Sequence, residues 1–204
     1  MTGAQTDPSG QFDQAYYQRY YGSARTRVTT PQEVARLAHF VTAYLMHLQL
    51  PVKRVLDMGC GLGYWQSPIA QAHPKAKYVG VEYSQYMCQQ HGWQQGSVVD
   101  YSARAPFDLV ICQGVLQYLP DDDAAAAIEN LARLCRGALY LEVLTREDWQ
   151  HNCDRDRTDP ALRLRLASWY RRQLGKHFTG CGGGVFLRHS APVTLYELER
   201  ASLR

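Results

Sequence analysis

A short, largely apolar run that ends in a glycine-rich turn is the feature that most constrains how this chain folds. Val52 to Met58 is followed directly by Gly59, Gly61 and Gly63. An apolar run of this length, bounded by turn residues, is typical of a buried parallel strand. In such a sheet, ligands bind where a strand ends and the next helix begins, and glycine lets the backbone turn sharply there. The sequence therefore predicts a ligand site at residues 57–63.

The rest of the chain alternates between strand and helix patterns. Further strands are predicted at 78–83, 97–99, 108–112 and 138–144, with a C-terminal hairpin of strands 185–188 and 194–198. Helices are predicted from the capping box of Thr30 and Glu33, at 64–73, 84–91 and 120–136, and from Asp159–Pro160 through 161–176. Gly137 is expected to end the fourth of these helices, 120–136. This alternation predicts an α/β fold with a doubly wound, seven-stranded sheet, mostly parallel with an antiparallel C-terminal hairpin strand and helices on both faces.

Composition limits which cellular compartment and which binding partners are expected. Hydrophobic residues make up 46% of the 204 residues, charged residues make up 20%, and the net charge is +3, too small to indicate a nucleic-acid partner by itself. The six cysteines show no C-x-x-C or zinc-finger spacing, so we expect free thiols and no metal site. No apolar run approaches the roughly 20 residues that cross a bilayer. A cytoplasmic protein with no membrane partner, monomeric or homodimeric, is expected.

The spacing of the glycines distinguishes between two kinds of ligand. The pattern is G-x-G-x-G after Asp57, whereas a dinucleotide fingerprint would place its third glycine at position 64, which is Tyr64. The acidic residue also disfavours a pyrophosphate and suits a cationic ligand. The run 55–63 resembles the first motif of the class I S-adenosylmethionine (SAM)-dependent methyltransferases, a Rossmann-like family, and the run 107–119 resembles their fourth-strand motif.

The resemblance implies SAM as the cofactor and S-adenosylhomocysteine (SAH) as its product. It places Glu82 on both ribose hydroxyls, Asp100 on the adenine amino group, and Gln113 and Gly114 beside the methionine part of the cofactor. Stacking on adenine or packing in the core is expected for Tyr83, Met87 and Tyr101. The full predicted cofactor set is Asp57, Gly59, Cys60, Gly61, Gly63, Glu82, Tyr83, Met87, Asp100, Tyr101, Gln113 and Gly114.

The resemblance also suggests how the chain is organised. Residues 1–11 are expected to be disordered, and 12–204 to form one methyltransferase domain. Within it we expect an N-terminal lid and helix at 12–50, a cofactor-binding core at 51–145, and an acceptor-side helix and hairpin at 146–204. The aromatic segment 16–21 either closes over the cofactor or packs on the sheet.

Methyl transfer from SAM strictly requires alignment rather than a dedicated catalytic group. A hydroxyl or protonated amine acceptor would also need a general base, for which His151, His177, His189 and Tyr17 are candidates. The expected function is transfer of a methyl group to an O, N, S or C nucleophile of a small molecule. No N-P-P-F-like run follows the fourth strand, which disfavours methylation of nucleic-acid amines.

Other readings remain open at this stage. The five basic residues in 161–176 could face RNA or simply form a solvated helix face. An RNA or protein methyltransferase, a non-catalytic SAM-binding protein, a different SAM-dependent reaction and a nicotinamide-dependent oxidoreductase are the alternatives. The sequence does not identify the acceptor.

Overall fold

A computed structural model describes residues 11–201, and the predicted disorder of residues 1–10 lies outside that range. The strands are β1 Arg54–Met58, β2 Lys77–Glu82, β3 Gln94–Gln95, β4 Phe107–Gln113, β5 Cys135–Glu142, β6 Phe178–Gly180 and β7 Val185–Arg188. The helices are α1 Gln14–Tyr17, α2 Pro31–His47, α3 Gln66–Ala72, α4 Gln85–His91, α5 Asp121–Leu134, α6 Arg146–His151 and α7 Ala167–Leu174. A π-helical turn, Gln18–Gly22, continues α1, and 3-10 turns cover Leu116–Tyr118 and Glu197–Glu199.

The strands form one seven-stranded sheet in the order β3-β2-β1-β4-β5-β7-β6. The pairs from β3 to β5 are parallel, and β7 pairs antiparallel with both β5 and β6. The predicted mostly parallel sheet with an antiparallel C-terminal hairpin is confirmed. Strand order reverses between β1 and β4, so the carboxyl ends of these strands flank the crevice where such sheets bind ligands.

Helices bury apolar residues against both faces of the sheet. On one face, Val41 of α2 and Ile69 of α3 pack with Val55 and Ile111. On the other face, Leu131 of α5 and Tyr170 of α7 pack with Leu56 of β1 and Val110 of β4. α2 begins with the predicted capping box, in which Thr30 and Glu33 each satisfy the other's backbone N–H. No helix within residues 11–201 is long and apolar enough to cross a bilayer.

Two predicted elements near the middle of the chain are wrong. The third strand is Gln94–Gln95, and the predicted residues 97–99 instead form a turn closed by the backbone N–H of Tyr101 on the carbonyl of Ser97, 2.9 Å. Gly137 does not end a helix but lies inside β5, where a Cβ would come within 2.4 Å of the Asp108 carbonyl oxygen. Glycine there permits close strand packing.

The C-terminal elements are also shifted from their predicted positions. Asp159 caps no helix: its Oδ1 accepts the N–H of Ala161, and the helix starts only at Ala167. Arg165 explains the shift, because it is buried in contact with the 116–121 region and so holds residues 161–166 in an extended connection. The hairpin is formed by β6 and β7, and residues 194–198 form no strand.

Candidate functional site

The glycine turn after β1 has a backbone that only glycine adopts readily. Gly59, Gly61 and Gly63 have φ angles of +77°, +48° and +70°. A Cβ at Gly59 would come within 2.3 Å of Val115 Cγ2, and one at Gly63 within 2.6 Å of the Trp93 ring. The turn is therefore fixed both by its left-handed backbone and by the side chains packed against it.

Glu82, the last residue of β2, joins this turn to the neighbouring strand. Its Oε2 accepts the backbone N–H of Gly61 at 2.7 Å, and its Oε1 accepts those of Tyr83 at 2.8 Å and Ser84 at 2.9 Å. The side chain is buried, and burial raises the pKa of the carboxyl, with the three backbone hydrogen bonds opposing the rise. The carboxylate is thus held in one orientation before any ligand arrives.

A first cavity of about 420 Å³ opens beside the Glu82 carboxylate. One wall consists of the turn residues Ser97, Val98 and Val99, and another of Phe12 and Tyr83. Its floor is formed by glycines of the β1 turn and by Gln113 and Gly114 at the end of β4. The Glu82 carboxylate, which can accept hydrogen bonds from two neighbouring hydroxyls, therefore lies beside a slot with apolar walls. This arrangement fits a nucleoside.

The aromatic N-terminal segment covers this cavity. Tyr16 and Tyr17 line it from α1, and the Tyr17 ring lies 3.7 Å from the position a Cβ would take at Gly61. The hydroxyls of Tyr16 and Tyr118 are 2.9 Å apart, and the Ser84 hydroxyl donates to the carbonyl of Phe12. These contacts hold the segment beside the first cavity.

A second cavity of about 440 Å³ adjoins the first. The residues that line both are Tyr16, Tyr21, Gly59, Gly61, Gln113, Gly114 and Tyr118. The second cavity extends past Trp65 towards the segments after β5. Trp65 Nε1–H donates to Gln113 Oε1 at 2.8 Å, and Gln113 Nε2 donates to Glu142 Oε2 at 3.2 Å. The two cavities therefore meet at Gly59 and Gln113.

Asp57, in β1, lies at the base of the second cavity. The Tyr78 hydroxyl donates to its Oδ2. Burial raises the pKa of Asp57 to about 7, although the Tyr78 hydrogen bond opposes the rise and the charge of Glu82 adds to it. The carboxyl is thus poised to ionise near neutral pH, and a cation beside it would favour the charged form.

Most of the predicted cofactor residues line one of the two cavities. They are Asp57, Gly59, Cys60, Gly61, Glu82, Tyr83, Gln113 and Gly114, and the catalytic candidate Tyr17 joins them. Four others line neither cavity. Gly63 packs on Trp93, Met87 is buried in α4, Tyr101 donates its hydroxyl to Gln94, and Asp100 is exposed.

The three candidate histidines lie away from both cavities. His151 is exposed at the end of α6, and His189 is exposed after β7. His177 pairs with Glu129 of α5 at 2.8 Å. The structure therefore brings none of them to the place where the two cavities meet.

Sequence reasoning missed several residues that line the cavities. Ser97, Val98 and Val99 form the slot beside Glu82, and no polar motif marked them. Trp65 lies at the start of the predicted helix 64–73 and Tyr118 in the run 107–119, but neither was named as a site residue. Their position in the sequence could have identified them, because each lies within a few residues after the end of a strand or after the glycine turn.

Comparisons with known proteins agree with this geometry. Residues 56–137 match the family model described as "Methyltransferase domain". The chain is 30% identical over 143 residues to a trans-aconitate 2-methyltransferase of Azoarcus sp., covering 60% of this chain and 56% of that one. It is 32% identical over 107 residues to a ubiquinone biosynthesis O-methyltransferase of Xylella fastidiosa, covering 46% and 42%. The chain thus spans about half the length of these curated relatives.

Solved structures show the same fold. The magnesium protoporphyrin IX methyltransferase of Synechocystis PCC 6803, solved with bound SAM, aligns with a TM-score of 0.60 at 23% identity, covering 88% of this chain and 92% of that one. The plantazolicin methyltransferase aligns with a TM-score of 0.63 at 15% identity, covering 83% and 72%. Residues 56–137 thus match a methyltransferase-domain model, and the chain shares its fold with these solved methyltransferases.

Proposed function

We propose that this protein binds SAM in the first cavity and transfers its methyl group to a small-molecule acceptor held in the second. The observation that carries the proposal is the buried Glu82 carboxylate, oriented by three backbone N–H groups beside a slot with apolar walls. A carboxylate can accept hydrogen bonds from both hydroxyls of a ribose at once. The glycine turn then leaves space for the rest of the cofactor close to the backbone.

The residues present fit SAM in size and in chemistry. Each cavity has a volume within the roughly 300–1,000 Å³ usual for small-ligand sites. Val98 and Val99 offer apolar contacts to a purine, and Asp57 offers a carboxyl near the cationic end of the cofactor. This assignment keeps Asp57, Glu82, Gln113 and the glycines in their predicted roles, and it moves the adenine contact from Asp100 to 97–99.

SAM, when bound, supplies a methyl group already activated on a sulfonium. The acceptor nucleophile forms a bond to the methyl carbon as the carbon–sulfur bond breaks, and the electron pair stays on sulfur to give SAH. The protein's contribution is to align the two ligands where the cavities meet and to exclude water with the aromatic segment. Of the four catalytic candidates only Tyr17 lies near this place, and burial raises the pKa of its hydroxyl.

The proposal also assigns roles to the segments of the chain, a cellular compartment and a class of acceptor. We assign residues 12–50 to the cover, 51–145 to the cofactor-binding core and 146–204 to the acceptor side. The six cysteines are all free, which supports a reducing compartment such as the cytoplasm. The relatives named above act, by their names, on small molecules, and this supports a small-molecule acceptor.

The test is transfer of a labelled methyl group. The purified protein is incubated with methyl-labelled SAM and a bacterial extract separated into small-molecule, RNA and protein fractions. The proposal predicts label in a product of the small-molecule fraction and stoichiometric formation of SAH. Label found only in RNA or protein would contradict the acceptor class, and SAM binding without turnover in any fraction would indicate a non-catalytic binding protein.

A further inference from the structure

The second cavity carries an unusual set of charges for its size. Its described lining includes four carboxylic acids, Asp57, Glu142, Asp148 and Asp159, and contains no Lys, Arg or His. Two cations lie outside this lining: Arg163, which lines the adjoining first cavity, and Arg27, whose charge lowers the pKa of Tyr64 against the larger effect of burial. An anionic acceptor would meet only like charge there.

Three of these acids already have partners that account for them. Asp57 accepts from Tyr78, and Glu142 accepts from Gln113 and from Tyr140. Asp148 caps α6. Burial acts to raise the pKa of its carboxyl, but the hydrogen bonds from Thr145 and Asn152 together outweigh burial and lower the pKa.

Asp159 differs from the other three. It is only 8% exposed, yet it lines the cavity. Its Oδ1 accepts the backbone N–H of Ala161 at 2.9 Å, while no described residue donates to Oδ2 or forms an ion pair with the side chain. Because no described residue donates to Oδ2, this oxygen is available to pair with a cation of a ligand in the cavity.

Aromatic rings also line the second cavity. Tyr16 and Tyr118 lie near enough to Asp159 that its charge, after burial, raises the pKa of both hydroxyls. Tyr21, Tyr64 and Trp65 complete the aromatic lining. Aromatic faces attract ammonium groups, and the attraction is greatest when the pair is desolvated.

We propose that the acceptor is an amine-bearing molecule whose ammonium group pairs with Asp159 among the tyrosines. This rests on the proposed function, because it assigns the second cavity to the acceptor. Asp159 lines the second cavity and not the first, and we assign it to the acceptor. Asp57 lines the same cavity but precedes Gly59, where the two cavities meet, and stays assigned to the cationic end of SAM. The same carboxylates disfavour an anionic acceptor.

The experiment uses two matched series of probes that differ in charge. Tyramine, tyrosol and 4-hydroxyphenylacetate share one ring, and tryptamine, tryptophol and indole-3-acetate share a larger one. Binding of each is measured by calorimetry to the SAH-saturated protein at low ionic strength. In at least one series, the amine should bind about tenfold or more tightly than the carboxylate, with the alcohol between them. The ratio should shrink as salt is added.

Asp159→Asn tests the named residue, and Asp156→Asn is the matched control. Asparagine keeps the oxygen that accepts from Ala161, whereas Asp156 is exposed in the same loop and lines neither cavity. We expect Asp159→Asn to lose most of the amine preference while its affinity for SAH stays within about twofold of the parent protein. Asp156→Asn should behave as the parent protein does.

The outcomes separate this inference from the proposed function. Failure of SAH to bind the parent protein contradicts the proposed function itself. If SAH binds but neither amine binds better than its carboxylate, the cationic acceptor is wrong. If Asp159→Asn weakens SAH and leaves the amine preference intact, Asp159 serves the cofactor and the assignment is overturned.

Discussion

The backbone N–H of Gly61 donates to Glu82 Oε2 at 2.7 Å, which joins the turn after β1 to the end of β2. The hydrogen bond fixes both the left-handed turn and the carboxylate that faces the first cavity. The two most recognisable features of the sequence are therefore one structural unit. Disturbing either should affect both the stability of the turn and the binding of the cofactor.

Gly63 and Gly92 have nearly the same backbone conformation, so substituting each one distinguishes the cost of backbone strain from the cost of a steric clash. Gly63 and Gly92 have φ angles of +70° and +71°, but only at Gly63 would a Cβ meet a neighbour, the Trp93 ring at 2.6 Å. Gly92→Ala should lower the free energy of unfolding by about 1–2 kcal/mol through backbone strain alone. Gly63→Ala should cost about 1–3 kcal/mol more, because the ring must move. Equal losses in urea titrations would show that the packing of Trp93 is unimportant.

Asp57 should make stability fall as pH rises through neutrality. Its folded pKa of about 7 lies above the usual carboxyl value, so the native state holds a proton that the unfolded state has lost. That contribution is complete in acid and disappears as pH rises towards about 7. Asp57→Asn keeps an acceptor for Tyr78 but does not titrate. Relative to the parent protein, its free energy of unfolding should rise from about pH 4 to pH 8, by at most about 1.4 kcal/mol per pH unit. A difference that stays constant with pH would contradict the raised pKa.

Arg165 should be essential to the fold of the acceptor side. Its guanidinium bonds Asp121 Oδ1 at 2.8 Å, the carbonyls of Leu116 and Leu119, and the Tyr170 hydroxyl. Arg165→Met leaves these groups without a donor and should lower the free energy of unfolding by about 3 kcal/mol. Arg171→Met, at an exposed position of α7, should change it by less than about 0.5 kcal/mol. Thermal or urea unfolding of the two variants compares them directly, and similar losses would contradict a special role for Arg165.

The hydrogen bond between Tyr16 and Tyr118 should link the aromatic N-terminal segment energetically to the core. The hydroxyls of Tyr16 and Tyr118 are 2.9 Å apart in a buried setting. A double-mutant cycle of Tyr16→Phe and Tyr118→Phe should give a coupling energy of about 0.5–1.5 kcal/mol in urea unfolding. A cycle pairing Tyr16→Phe with Tyr196→Phe, which is 75% exposed, should give none. Coupling near zero in the first cycle would show that the cover is not held by this hydrogen bond.

Local patterns in the sequence were sufficient for the core of the fold. The turn 57–63 and Glu82 follow from rules that act over a few residues, namely glycine freedom and the position of an acid at a strand end. The Thr30 capping box is likewise local and is confirmed. These features were predictable because their partners lie close by in sequence or on the adjacent strand.

The errors arose where distant contacts override local preference. Asp159–Pro160 has the pattern of a helix start, yet Arg165 is anchored on Asp121 and on carbonyls more than forty positions away. Gly137 has the pattern of a helix stop, yet it serves the approach of β5 to Asp108. Single-sequence patterns carry no information about such long-range partners.

The most direct test of the account is the affinity for SAH of Glu82→Gln and Asp100→Asn, measured by calorimetry beside the parent protein. Glu82→Gln removes the charge that faces the first cavity, so SAH should bind about 10- to 100-fold more weakly. Asp100→Asn changes an exposed carboxylate that lines neither cavity, and affinity should stay within about twofold. Circular dichroism should show that both variants fold. Unchanged affinity in folded Glu82→Gln, or a loss confined to Asp100→Asn, would contradict the assignment of Glu82 and its cavity to the cofactor.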